Sequence, residues 1–408
     1  IVQLNTDNKP IDLLTVVEEL KTMEMLDAVG GPYFISKLTN AVVSAANIEA
    51  HARIVQEKFI QRELIRISTE IITDAYDDST DVFDLLDSAE QKLFSIANDQ
   101  LKKEFDTLGK SVMDTLNKID EMRARNEEIT GVPTGFPTLD KVTYGWQRSD
   151  LIILAARPSV GKTAFALNLA RNAAMHPTKP TTVAFFSLEM STSQLVQRIL
   201  SAESEIHMEK ISRGKMEDHE MQQLYKKGIE PLTKAKIFVD DSAALNIFEL
   251  RAKCRRLKSL HDVGLIIIDY LQLMSGSSDN RNSNREQEIS TISRNLKQLA
   301  KELQVPIIAL SQLSREVEKR KEGQKVPQLS DLRESGAIEQ DADVICFLYR
   351  DEIYNKSEDN PKRGIAELII GKQRNGPTGI IELTFIDKFT TFENYSRLEI
   401  PSSYAESN

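Results

Sequence analysis

Cysteine is scarce in this chain. Two in 408 residues, Cys254 and Cys346, lie far apart in apolar or helical contexts. That excludes a disulfide framework and reads as two reduced packing residues. No Cys-x-x-Cys occurs and the five histidines are scattered, so a zinc site is not indicated. No apolar run approaches the roughly 18 residues of a membrane span. No secretory signal opens the chain, so a cytoplasmic protein with no membrane partner is expected. Excess positive charge is also missing: the formal net charge is −10. This argues against a broad basic coat but leaves room for nucleic acid on a local lining inside an assembly. No internal repeat is found. The chain begins at Ile1 rather than Met, so a fragment or a missing start is expected. What remains, 40% apolar and 28% charged residues, is an ordinary soluble composition with length for two or three domains.

The strongest signal that is present is Leu151–Thr163, LIILAARPSVGKT. An apolar run enters a short turn, the turn ends in Gly161-Lys162-Thr163, and a helical pattern follows at once. That order of strand, loop and helix N-terminus is a phosphate cradle. Residues Ala156, Arg157, Pro158, Ser159, Val160, Gly161, Lys162 and Thr163 form it. Backbone N–H groups of the loop and helix start face phosphate oxygens. Lys162 reaches the β- and γ-phosphates, and the Thr163 hydroxyl ligates Mg²⁺. Ala156 stands where the usual pattern has glycine, a small enough substitute for a close turn.

Around this motif the chain divides into three. Residues 1–100 read as helices. One is near Ile11–Met23 and ends before Val29-Gly30-Gly31-Pro32. A long one carries Ile48, Ala52, Val55, Phe59, Leu64, Ile67 and Ile71 on one face. Another runs over Val82–Ile96. Residues 101–130 are strongly charged, with one apolar stripe of Leu108, Val112, Leu116 and Ile119. The pattern leaves open whether that stripe packs on its own domain or on another subunit. Gly131-Val132-Pro133-Thr134-Gly135 reads as a hinge. From there to residue 408, strands alternate with helices. Candidates are Leu151–Ala155, Val183–Ser187, Lys236–Val239, Leu265–Asp269, Pro306–Leu310, Val344–Tyr349, Glu367–Ile370 and Ile380–Phe385. The clearest helix carries Ile289, Ile292, Leu296, Leu299 and Leu303. The fold class is therefore α/β, a mostly parallel sheet flanked by helices, with an antiparallel edge at the end and an all-α region in front.

Several polar residues fall where strands end. Leu265–Asp269 delivers Asp269 to the carboxyl edge of the sheet, where such folds bind ligands and where an Asp holds Mg²⁺. Glu189, just after Val183–Ser187, is placed either to polarise an attacking water or to stabilise a helix start. Gln312, after Pro306–Leu310, either senses a γ-phosphate or caps a strand. Lys372 and Arg374 lie two apart, so alternation puts them on one side. They would serve DNA, their own nucleotide, a neighbour's nucleotide or a solvated turn. In Ser330–Asp343, Arg333 and the N–H groups near Gly336 suit a phosphate, although the segment's acids favour a solvated loop.

Taken together, SLEM at 187–190, IIIDYLQLM at 266–274, ALSQLSR at 309–315, DLRESGAIEQDAD at 331–343 and GKQRNGPTG at 371–379 resemble the bacterial replicative DNA helicases of the DnaB family. The resemblance extends upstream through Lys9–Leu13, Val29–Gly31 and Ser44–Asn47, and so covers nearly the whole chain. It implies a RecA-like ATPase domain over 131–408, a linker helix within 101–130 that docks on the adjacent subunit, and a partial helical domain over 1–100. It also implies that about half a domain of helices precedes Ile1. Its activity would be ATP-driven travel of a homo-hexameric ring along single-stranded DNA, with ATP and Mg²⁺ as cofactors and primase and a helicase loader as partners. Residue by residue, the resemblance makes Lys162 and Thr163 the phosphate and Mg²⁺ ligands. Glu189 becomes the catalytic base, Asp269 the metal-ordering acid and Gln312 the γ-phosphate sensor. Lys372 and Arg374 act on the neighbour's ATP, and Arg333, Glu334 and Gly336 face DNA. The alternatives are a RecA-like recombinase or mediator, and a non-unwinding ATP-dependent clamp or loader.

Overall fold

The computed structural model describes residues 12–41, 48–77 and 129–395, apart from 244, 275–284, 321–324, 333–335 and 358, with isolated positions of 1–11 and 78–128. The chain forms two compact units, Ile1–Leu108 and Gly109–Asn408.

In the first unit, α1 (Leu13–Thr22) starts where Asp12 accepts the Thr15 N–H at 2.9 Å and the Thr15 hydroxyl accepts the Asp12 N–H at 3.0 Å. This reciprocal cap satisfies two of the donors a helix start leaves open. The turn after it uses Gly30 and Gly31, both at positive φ. Gly31 also opens α2 (Gly31–Ala41), with Pro32 in its first turn, where a missing N–H costs nothing. The Gly-Gly-Pro step is thus a start as well as a stop, and only the stop was expected. The long helix expected from residue 48 is present as α3 (Ile48–Ala75). Within the described residues its face is only partly covered: Ile67 is buried, whereas Val55 and Phe59 are more than half exposed. Most of the helix expected over Val82–Ile96 lies outside the described residues. So does Ile119 of the stripe, while Leu108, Val112 and Leu116 are exposed.

Within the second unit, the segment expected as a hinge at Gly131–Gly135 forms a backbone clasp. Val132 and Trp146 exchange backbone hydrogen bonds of 2.8 Å, Gly131 N–H donates to Tyr144 O, and buried Thr134 donates its N–H to Asp140 Oδ1 at 2.9 Å. A Cβ on Gly131 would come within 2.5 Å of Trp146 O, and Gly135 sits at φ +78. Close approach at Gly131 and backbone conformation at Gly135 both call for glycine.

Among the described residues, nine strands form one sheet: β1 (Leu151–Ala156), β2 (Val183–Ser187), β3 (Ile237–Asp240), β4 (Leu265–Asp269), β5 (Ile307–Gln312), β6 (Val344–Tyr349), β7 (Ile365–Gln373), β8 (Gly379–Ile386) and β9 (Thr391–Asn394). Their order is β3-β2-β4-β5-β1-β6-β7-β8-β9. The first six in that order are parallel, and β7, β8 and β9 complete an antiparallel edge. β1 is therefore central, with β5 and β6 on its flanks. Its alternation splits the core. Ile152 and Leu154 join Phe165 and Leu169 of α5 (Lys162–Ala174), which follows the short helix α4 (Pro137–Thr143), on one face. Leu151 and Ile153 join Leu296 and Leu299 of the helix Arg285–Leu303 on the other.

β9 was not expected. It is latched to α5 by Asn168, which accepts the Phe392 N–H at 3.0 Å and donates to Thr391 Oγ1 at 2.9 Å. Phe165 stacks on Phe136 and meets Phe392 edge-on, both at 5.3 Å between ring centroids. Phe165→Ala would empty the space behind the phosphate loop. It is expected to lower unfolding stability by about 3–5 kcal/mol, read as a shifted midpoint in denaturant titration.

Candidate active site

Gly161, at φ +108, turns the chain into α5 and lies against Phe392, 2.9 Å from where its Cβ would be. Only glycine meets both demands there. Lys162 and Thr163 follow as the first residues of α5. Their partner is Asp269, the last residue of β4 and fully buried. Thr163 Oγ1 donates to Asp269 Oδ2 at 2.6 Å, and Lys162 Nζ lies 3.7 Å from Oδ1. The Lys162 ammonium also sits 4.4 Å from the Tyr270 ring centroid, a cation–π contact. Burial pushes the Lys162 pKa down, while the charges of Asp269 and Glu189 oppose the shift. Burial and the same two carboxylates push the Tyr270 phenol up. Asp269 Oδ1 is buried without a hydrogen bond. A hydroxyl and a carboxylate side by side, with one acceptor oxygen unspent, fit a hard cation such as Mg²⁺.

Glu189 is fixed by the turn that carries it. Ser187 Oγ donates to Met190 O at 2.7 Å and accepts the Met190 N–H, while Leu188 N–H donates to Asp269 O. The following helix, α6 (Thr192–Ser204), begins after Glu189 with Ser191 as its cap. Glu189 therefore precedes the helix, outside its first turn, and its exposed carboxylate shares the field of Lys162. Gln312 ends β5 in register with Ala156 of the loop. Gln272 pins its backbone from both sides, and its side chain is exposed.

Three features were not expected from the sequence. Arg198, on α6, is half-buried and senses Asp269 and Glu189; burial pushes its pKa down against those two charges. Among the described residues it makes no hydrogen bond or ion pair, so its charge is added to the field of those two carboxylates without a direct partner. Arg157, expected as part of the cradle, has its guanidinium committed elsewhere. It donates to Leu313 O at 2.6 Å and to Glu318 Oε1. The loop is also braced by Arg350, at the end of β6, which lies over the Phe385 ring and reaches Val160 O.

Lys372 and Arg374 are brought together, as alternation predicted, but not at this edge. Lys372 Nζ donates to the carbonyls of Glu339 and Ala342, and Arg374 Nη2 to that of Gln340 at 2.6 Å. These carbonyls end the helix Gly336–Asp341 and the turn after it. Asp343 lies beside them and takes the N–H of Leu151, the first residue of β1. The two cations therefore stand at the amino edge of the sheet, a β1 length from the phosphate loop, roughly 20 Å at about 3.3 Å per residue. That distance removes their own chain's nucleotide from the possible partners. Gly336 starts the helix, and a Cβ there would meet nothing within 4 Å. Arg333 and Glu334 lie outside the described residues.

Both cysteines are buried free thiols, with Cys346 pushed up to about 12 by burial alone, as suits packing residues. Among the described residues, no helix is long and apolar enough to cross a membrane.

Comparison with known proteins agrees with this fold. Residues 131–394 match the family described as DnaB-like helicase C terminal domain, and residues 1–57 match the DnaB-like helicase N terminal domain. The Replicative DNA helicase DnaB of Geobacillus stearothermophilus is 48% identical over 95% of this chain and 84% of its own length. The Replicative DNA helicase DnaC of Bacillus subtilis (strain 168) is 46% identical over 97% of this chain and 85% of its own. A solved structure described as a DnaB-like replicative helicase and its interactions with primase superposes with a TM-score of 0.74 at 34% identity. It covers 97% of this chain and 90% of that one. A second solved structure, described as an ATPase domain, superposes with a TM-score of 0.66 at 38% identity, over 72% of this chain and all of that one. A RecA-like sheet with a complete phosphate loop, matched across nearly its whole length by replicative helicases, makes this chain an ATP-dependent DNA helicase and a member of the DnaB family.

Proposed function

We propose that the protein works as a six-membered ring in which each nucleotide sits between two subunits. In this reading the phosphate loop of one subunit holds ATP, and Lys372 and Arg374 of the next complete the site. The observation that carries it is the separation described above: one chain holds a phosphate cradle and a pair of phosphate-suited cations at opposite edges of its sheet. In the cradle, Lys162 holds the β- and γ-phosphates, and Thr163 and Asp269 hold Mg²⁺, which neutralises phosphate charge when bound. Glu189 accepts the proton of the attacking water, and Gln312 hydrogen-bonds to the γ-phosphate. The exposed stripe of Leu108, Val112 and Leu116 supports a linker within 101–130 that docks on an adjacent subunit. Arg333, Glu334 and Gly336 face single-stranded DNA in the channel, and the ring meets primase and a loader in the cytoplasm.

The direct test is unwinding of a forked duplex with a 5′ single-stranded tail, with and without ATP. Strand separation that requires ATP supports the motor. ATP-dependent binding without separation would instead make the protein a clamp. Glu189→Gln is expected to leave ATP binding largely intact and slow turnover by about 10²-fold or more, the range for loss of a general base. Normal turnover in a phosphate-release assay would remove Glu189 from that role. Arg333→Ala is expected to weaken single-stranded DNA binding about equally across sequences and to flatten its salt dependence. An unchanged slope in a salt titration would take Arg333 out of the DNA-facing set.

A further inference from the structure

We infer that Asp343 is a positioning residue for hydrolysis: with Lys297 as its counter-ion and Asp150 beside it, it sets where Arg374 and Lys372 stand for the neighbouring subunit's nucleotide. The inference rests on the reading that those two cations act on a neighbour.

Asp343 is buried at the amino edge of the sheet, just before β6. An acid in that position needs partners, and its two oxygens divide the work. Oδ2 is fully engaged: it accepts the Leu151 N–H at 2.8 Å and pairs with Lys297 Nζ, which also donates to Ser149 O at 2.7 Å. Oδ1 is turned to Arg374, with Nε at 3.6 Å. The backbone of the same residue repeats the link. Its N–H donates to Leu151 O and its carbonyl accepts the Arg374 N–H, both at 2.9 Å. One residue thus ties the start of the phosphate-loop strand to the base of Arg374. The remaining seats come from the chain immediately before it, the carbonyls of Glu339, Gln340 and Ala342.

The seat is loose where a finger must be free. The Arg374 side chain is 48% exposed, and 3.6 Å is an ion pair without a hydrogen bond. Its guanidinium is oriented but still open to a partner outside the chain. Asp150 adds a second carboxyl to the field. Burial and the Asp343 charge push it up to about 6, while Lys297 and Arg374 pull the other way. Lys372 is pushed down by burial and by the Arg374 charge, with Asp343, Glu339 and Asp341 opposing. Asp343 is thus one of the carboxylates in whose field Lys372 sits.

The test uses the full chain in mixed assemblies. Lys162→Ala subunits supply intact fingers without a working cradle. Arg374→Ala subunits supply the reverse. Their mixture regains ATPase activity at the interfaces that pair the two intact halves. Asp343→Asn is then added to one partner at a time. Asparagine keeps an acceptor for the Leu151 N–H but loses the charge toward Arg374 and Lys297. In the finger-supplying partner it is expected to lower the regained kcat at least 10-fold with little change in KM for ATP, the mark of an interaction made in the transition state. In the partner that already lacks Arg374 it is expected to leave the regained rate unchanged. Lys297→Gln, which removes the counter-ion from another element, is expected to act in the same partner and the same direction. An equal fall in both partners would mean that Asp343 serves the fold alone, and no fall in either would mean that it serves neither; both overturn the inference while the parental mixture stays active. A parental mixture that regains nothing, although mixed assemblies form, overturns the trans reading and this inference with it.

Discussion

Lys162→Ala is expected to reduce ATP hydrolysis by about 10³-fold or more, to the background of a phosphate-release assay. Two losses coincide. The phosphates lose a cation that burial has already stripped of water, so that its field is screened little. Asp269 also loses its nearest counter-charge while Oδ1 remains buried without a hydrogen bond. A buried carboxylate left without its counter-charge is costly, and any rearrangement around it spoils the seat that Thr163 and Asp269 offer a cation. Lys162→Arg would restore the charge but not the shape, because the longer planar head has to fit against the Tyr270 ring. It is expected to recover little. Turnover near wild type in Lys162→Ala, with folding confirmed by thermal unfolding, would show that the loop's backbone alone carries phosphate binding.

The sheet was legible in the sequence wherever strands are buried on both faces. β2, β4 and β6 match their expected bounds because continuous apolar runs such as Leu265–Ile268 are the signature of a covered parallel strand. β5 runs two residues further than its apolar run. Its pairing with β1 continues through Ser311 and Gln312 to Ala156, and polarity there reflects the site, not the end of the strand. β9 was not legible. Only Phe392 among its four residues is apolar, and its place is set by Asn168, more than two hundred residues away. The clasp at Gly131–Trp146 escaped for a related reason. Glycine and proline mark irregular backbone, but whether that backbone moves depends on partners such as Trp146 and Asp140.

The candidate site divides in the same way. Lys162, Thr163 and Asp269 were each marked by a local pattern, and the fold brings them into contact. Glu189 and Gln312 were marked by position alone, at strand ends, with bland alternatives of equal standing. Topology ends β2, β4 and β5 at the same edge as β1, so both residues stand at the edge that carries the phosphate loop. Arg198 carried no signal, since one arginine on an amphipathic helix is ordinary. The Arg157–Glu318 brace, spanning 161 positions, is likewise a product of folding.

Arg374→Ala is expected to cut ATP turnover by about 10³-fold, the low end for an arginine finger, while nucleotide binding at the altered subunit's own cradle persists. The second half follows from geometry. Arg374 touches Gln340 and Asp343 at the amino edge, and among the described residues it makes no hydrogen bond or ion pair with the loop. A residue acting on its own chain's nucleotide would lower activity in every mixture in proportion to its share. A residue acting on a neighbour's gives a different signature. Arg374→Ala and Lys162→Ala subunits, each inactive alone, are expected to regain ATPase activity when mixed, because some interfaces pair an intact cradle with an intact finger. At equal proportions and random order, about one interface in four does so, and the regained rate should approach that share of wild type if interfaces fire independently. Unwinding should recover far less, since stepping along DNA requires successive interfaces to act in turn. If mixing restores no ATPase activity although mixed assemblies are demonstrated, Lys372 and Arg374 do not serve a neighbour's ATP. Their distance from their own cradle would then leave DNA as their partner, and Arg374→Ala should flatten the salt dependence of DNA binding.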